Sequence, residues 1–151
     1  MKLNNKGLEL IKQYEGLKLK PYLDSVNVPT IGYGTTVYPD GKKVSLRDPE
    51  ITKEKAEEFL KKHIEKIEPE IKNAIKVQLN DNQYSALVSF AYNLGVFSLR
   101  KSTLMVKLNE SKFKDIEREF KKWVFAGGKK LKGLEARRQK EADLFNETEK
   151  T

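Results

Sequence analysis

The chain contains no cysteine in its 151 residues. Disulfide frameworks, thiol nucleophiles and cysteine metal sites are therefore excluded. It has a single histidine, which without cysteine argues against a zinc site. No run of 18 apolar residues occurs, so no membrane-spanning helix is expected. Met1 to Gly7 holds no apolar core of a secretory signal. Internal repeats and low-complexity segments are likewise missing. What the chain has in abundance is charge: 34% of its residues are charged, 38% are hydrophobic, and the formal net charge is +8. A chain of this length makes one domain with a real core. Its positive excess favours an anionic partner such as nucleic acid, a lipid surface or an anionic cell wall. Lysines and acids interleave through residues 53–70 and 112–122, the pattern of solvated helix faces, so much of the charge serves solubility.

Periodicity predicts a first helix over residues 4–15, with Leu3, Leu8, Leu10, Ile11 and Tyr14 on one arc. Residues 21–45 then change character. Pro21, Pro29, Gly32, Gly34, Pro39 and Gly41 alternate with Val, Ile, Thr and Tyr, and Asp40-Gly41 is a hairpin signal. This reads as a small antiparallel sheet, too small to stand alone. From Thr52 onward the pattern is helical. Pro69 is expected to break or kink the helix carrying Phe59, Leu60 and Ile64. Asn80 or Asp81 can cap the next helix, which stops at Gly95. Another follows Ser98 or Ser102, and Ser111 can cap one that ends at Gly127-Gly128. A last helix covers residues 133–146. The fold class is α+β, with a small sheet lobe over about residues 16–50. Residues 1–15 and 51–151 form a helical lobe, and a cleft is expected between the two.

One string carries chemistry. Glu15 lies inside the apolar arc of the first helix, in its last turn, where the helix dipole disfavours another negative charge. Apolar neighbours and the dipole both predict a carboxyl whose pKa is pushed upward, and a protonated carboxyl near neutral pH is a general acid. Asp24 sits in the polar turn Tyr22-Leu23-Asp24-Ser25 and is expected to stay ionised. One protonated and one ionised carboxyl flanking a bond is what glycoside hydrolysis requires. Thr30 could hold a water with Asp24, and Gly32 and Gly34 permit close backbone approach to a ligand.

The string Glu15, eight residues, Asp24, five residues, Thr30, running into Ile31-Gly32-Tyr33-Gly34, resembles the active-site signature of the phage-type lysozymes (endolysins, glycoside hydrolase family 24). The stretch from Gln83 to Gly95 is similar to that family's central helix. Ser102-Thr103-Leu104 with Lys107-Leu108-Asn109 resembles its next segment. Trp123, Ala126-Gly127-Gly128, Gly133-Leu134, Arg137-Arg138 and Glu141 resemble its closing part. The resemblance implies Glu15 as general acid, with Asp24 orienting or activating water beside Thr30. It implies cleavage of the β-1,4 bond between N-acetylmuramic acid and N-acetylglucosamine in peptidoglycan. Inversion is expected, which needs carboxyl groups roughly 6.5–9.5 Å apart. Gly34 and Thr36 sit where the family lines its site from the sheet, and Tyr92 and Asn93 where it lines it from the helices. An arginine approaching Glu15 is also implied: the helical wheel favours Arg138, and chain spacing also permits Arg137. Thr35 stands where many relatives carry a histidine.

No cofactor or metal is implied. Expected of the chain are peptidoglycan as partner, no nucleic acid, no stable membrane association and a monomer. It is expected to accumulate in the cytoplasm of its producer and to reach the wall after membrane permeabilisation. Two rivals remain: a non-catalytic peptidoglycan-binding module of the same fold, and a basic helical nucleic-acid binder. The second lacks a helix-turn-helix signature and is expected to lack a basic patch interleaved with exposed aromatics. Cleavage of chitin differs only in the sugar recognised. His63 falls on the apolar arc of its helix and is expected to be buried or half-buried. Trp123, spaced with Phe120 and Ile116, is expected in the core.

Overall fold

A computed structural model describes residues 1–147. The chain folds as two compact units, one of Met1–Tyr14 with the chain from Glu68 onward, the other Glu15–Ile67. The elements in chain order begin with helix α1 (Asn5–Glu15), strands β1 (Lys18–Leu23) and β2 (Pro29–Gly32), and helix α2 (Lys53–Ala74). Helices α3 (Asp81–Leu94), α4 (Val96–Lys101) and α5 (Thr103–Asn109) follow. A 3-10 turn (Phe113–Asp115) then leads into α6 (Ile116–Lys121). A hairpin of β3 (Phe125–Ala126) and β4 (Lys129–Lys130) precedes α7 (Lys132–Asn146). Mostly helical with small antiparallel sheets, the architecture is the α+β class expected from the sequence.

The 15–67 unit is built on one antiparallel pair. Its register sets Lys18 opposite Gly32, Tyr22 opposite Thr30 and Leu23 opposite Pro29, with an irregularity between Lys18 and Tyr22. The Asp40-Gly41 signal is borne out: the Tyr38 and Lys42 backbones close the turn, and Val37 bridges Lys43. Ile31, Tyr33 and Val44 are buried, and the apolar arc of α2 adds Ala56, Phe59, Leu60 and Ile64. Tyr38 meets Phe59 edge-on at 5.2 Å. Two expectations change here. Pro69 does not break α2, which runs on through it, because the cost of a proline in a helix can be outweighed by packed flanking turns. His63 is exposed; crowding of its ring, with Lys66 adding, still pushes its pKa down.

The other unit is organised by α3, whose residues from Tyr84 to Ala91 are all buried. A helix apolar on every side belongs at the centre of a bundle. Asn80 caps it: its side chain accepts from the Gln83 N–H, while the Gln83 side chain accepts from the Asn80 N–H. Gly7 of α1 lies against Ser85, where a Cβ would come within 2.5 Å of the Ser85 Cβ. The Ser85 hydroxyl accepts from the Asn4 N–H. Phe90 touches Phe120 at 5.8 Å and Trp123 at 5.4 Å, and Phe120 continues to Phe145. Trp123 is half-buried on that cluster. Ser102 caps α5 by accepting from the Met105 N–H, whereas α4 begins at Val96, before Ser98. Ser111 caps nothing; it takes a left-handed φ of 60° ahead of the 3-10 turn. Gly127 and Gly128, at φ 59° and 78°, supply the two left-handed residues of a type I′ hairpin turn, a hairpin that the helical expectation for this region overlooks.

Candidate active site

Asp24, at the end of β1, holds the turn into β2. Its Oδ1 accepts from the N–H groups of Val26 and Val28, each at 2.9 Å. Its own N–H donates to the Val28 carbonyl, and its carbonyl accepts from Asn27, which adopts a left-handed φ of 63°. This is an aspartate bonding its own turn, and it fixes the carboxylate rigidly to the hairpin. Thr30 is buried, and its hydroxyl donates to the Val28 carbonyl at 2.8 Å. The Thr30 oxygen keeps its lone pairs for a further donor.

Glu15, half-buried at the end of α1, is brought against the stretch after β2. Gly34 has a φ of 75°, and a Cβ placed on it would collide with the Glu15 carboxyl oxygen and lie 3.1 Å from its Cδ. Only the smallest residue lets this backbone turn and the acid share the space. Thr36, half-buried nearby in sequence, accepts from the Val44 N–H through its carbonyl. Thr35 is buried at 6% exposure, and its hydroxyl has no hydrogen-bond partner among the described residues.

Tyr22 stands on the strand that leads into the Asp24 turn. Burial pushes its phenol above the ordinary range, and the charges of Glu15 and then Asp24 push the same way. One hydroxyl thus lies within electrostatic reach of both acids, while the strand register places the same residue opposite Thr30. Cross-strand partners stand side by side on one face. The sequence reasoning misses Tyr22, whose place opposite Thr30 is set by strand register.

The remaining candidates lie in the other unit. Tyr92 and Asn93 are half-buried near the end of α3. The Asn93 side-chain oxygen accepts from Arg138 Nη2 at 2.6 Å. Arg137 and Arg138, both buried, converge on Glu141, with Nε–Oε distances of 3.4 and 2.8 Å. The Ser89 hydroxyl donates to the same carboxylate at 2.6 Å. Burial pushes Glu141 up, against Arg138, Arg137 and Ser89. The inward Arg138–Glu141 pair expected from the wheel is present, and Arg137 is buried beside it.

A family model described as phage lysozyme matches residues 12–141. The chain belongs to the phage lysozyme family. Among curated relatives, it is 41% identical over 149 residues to an endolysin of Acyrthosiphon pisum secondary endosymbiont phage 1, covering 96% of this chain and 98% of that protein. It is 40% identical over 148 residues to an endolysin of Bacillus phage PZA, covering 97% of this chain but 55% of that longer protein. Among solved structures, an endolysin from Escherichia coli O157:H7 phage FAHEc1 superposes with a TM-score of 0.88 at 39% identity, covering 97% of this chain and 94% of that one. The chain is thus a lysozyme domain of the endolysin type, and the family implies peptidoglycan as its substrate. A nucleic-acid-binding helical protein is not favoured. Among the described residues, no helix is long and apolar enough to cross a membrane.

Proposed function

We propose that this lysozyme domain is an inverting muramidase that cuts the β-1,4 bond between N-acetylmuramic acid and N-acetylglucosamine. The observation that carries the residue roles is the packing of the Glu15 carboxyl against Gly34, which follows directly on the strand whose pairing holds Thr30 and the Asp24 turn. Glu15 donates its proton to the glycosidic oxygen as the bond from that oxygen to the sugar carbon breaks. Asp24 takes a proton from a water that attacks the same carbon from the opposite face, and the Thr30 hydroxyl helps to place that water. Asp24 suits this role because the turn occupies Oδ1 and leaves Oδ2 to meet the water. Inversion follows from attack by water rather than by a carboxylate. The Gly34 and Thr36 backbones contact the glycan from the sheet, and Tyr92 and Asn93 from the helices. The enzyme works as a monomer, is made in the cytoplasm of the producing cell, and meets the wall after the membrane is permeabilised.

Digestion of purified peptidoglycan tests this reading. New reducing ends at N-acetylmuramic acid, first released as the α-anomer, are expected. Glu15→Gln should lower the rate at least ~100-fold, in line with loss of general acid catalysis. Retained β-product would overturn inversion, an undiminished Glu15→Gln rate would overturn the acid assignment, and wild-type protein that binds the wall without releasing new reducing ends would favour a non-catalytic wall-binding module.

A further inference from the structure

The segment from Lys121 to Lys132 holds five lysines and no carboxylate. It forms the β3–β4 hairpin and its flanks, and it contradicts the expectation that no basic patch interleaves with exposed aromatics. Phe125 is 61% exposed and Leu131 is 42% exposed. Phe125 pairs across the hairpin with Lys130, and Ala126 with Lys129, so an apolar ring and an ammonium stand side by side on one face. Lys129 and Lys132 have no acidic partner among the described residues. Lys130 reaches Glu135 only at 3.7 Å, between two exposed side chains, a contact of little strength. Lys121 and Lys122 lean on Glu117 and Glu119 of α6. Folding leaves Phe125 and Leu131 in water although buried cores are available nearby, and nothing in the catalytic reading uses them.

The chemistry of the segment selects its partner. From Lys121 to Lys132 there is no Asn, Gln, Ser, Thr, Asp or Glu, so the neutral and acidic groups that hydrogen-bond sugar hydroxyls are lacking. Trp123 is turned onto Phe90, which leaves Phe125 as the exposed ring of the hairpin. Leu131 continues the register opposite Val124, on the other face of the hairpin from Phe125, and as an aliphatic group it offers nothing to a stacked base. Exposed hydrocarbon ringed by ammonium groups is complementary to a negatively charged bilayer surface, where the apolar groups enter the headgroup layer and the lysines meet phosphates. We propose that the β3–β4 hairpin docks the protein reversibly on anionic phospholipid. This is peripheral association, distinct from a membrane span and independent of whether the chain cleaves glycan.

The test is co-sedimentation of the full chain with vesicles of phosphatidylcholine alone and with added phosphatidylglycerol, in low and high salt. Binding is expected only with the anionic lipid, and salt should release the protein. A Lys129→Gln/Lys132→Gln double variant should lose roughly 30-fold in partition coefficient, at about 1 kcal/mol for each cation near the surface. Phe125→Ser should weaken binding severalfold with an unchanged melting temperature and unchanged hydrolysis of soluble glycan. Equal binding to neutral vesicles, no binding at all, or full binding by both variants would overturn the proposal. So would single-stranded DNA competing the protein off the vesicles at lower concentration than the lipid phosphate it displaces, which would make the patch a nucleic-acid site.

Discussion

At the scale of single residues, Gly34 and Glu15 compete for the same space. A methyl group on Gly34 would strike the carboxyl and also strain a φ of 75°. Gly34→Ala should therefore lower kcat by at least ~100-fold by misplacing the acid, an effect of the size that small displacements in a reacting geometry produce. The measurement is the rate on purified peptidoglycan beside the circular dichroism spectrum, and a near-normal rate would remove Glu15 from this corner of the site. Tyr22 permits a finer test. Its phenol is pushed up by burial and by the charges of Glu15 and then Asp24, so it stays protonated at neutral pH, and the strand register sets it opposite Thr30. Tyr22→Phe should lower kcat on purified peptidoglycan about tenfold with the melting temperature little changed. An unchanged kcat would reduce Tyr22 to a packing role.

At the scale of elements, local chemistry decides most of the boundaries. Of the two caps the sequence offers, Asn80 is the one used, and it forms a capping box with Gln83. Asn80→Ala should cost about 1 kcal/mol, lowering the melting temperature by roughly 2–4 °C for a domain of this size; calorimetry measures this directly. Where local signals mislead, packing outweighs propensity. Pro69 does not end α2, because both flanking turns are tied into larger structure. Ser111 offers a cap, yet the chain turns through a left-handed residue into a 3-10 turn instead. The Gly127-Gly128 pair reads equally as a helix stop and as a hairpin turn, and only the pairing of Phe125 with Lys130 chooses between the two. His63 sits on the apolar arc of its wheel, but that arc is wider than the surface available to cover it.

At the scale of the whole molecule, charge sets the response to solution conditions. Glu119 is 1% exposed and bonded by Lys122 and Lys107. Burial pushes its pKa up, but the two ammonium groups outweigh it, and the net direction is down. A carboxylate with a depressed folded pKa binds fewer protons folded than unfolded, so it contributes stability above its unfolded value near 4.5 that disappears as pH falls through the folded value. Glu119→Gln should flatten the acid limb of the stability–pH curve below about pH 4.5, as urea titrations at several pH values would reveal. A variant losing the same stability at pH 4 and pH 7 would show that packing rather than charge governs this position.

The sequence by itself determined the family, the α+β class and the string from Glu15 to Gly34, because these rest on side-chain chemistry and on spacings fixed by the chain. Only the tertiary structure decided which groups share an environment. It set Tyr22 opposite Thr30 through strand register, put Gly34 against Glu15, and buried Arg137 along with Arg138 on Glu141. It also left Phe125 in solvent among lysines. Each of these depends on which surface a face meets, a property of the packed molecule that residue order does not contain.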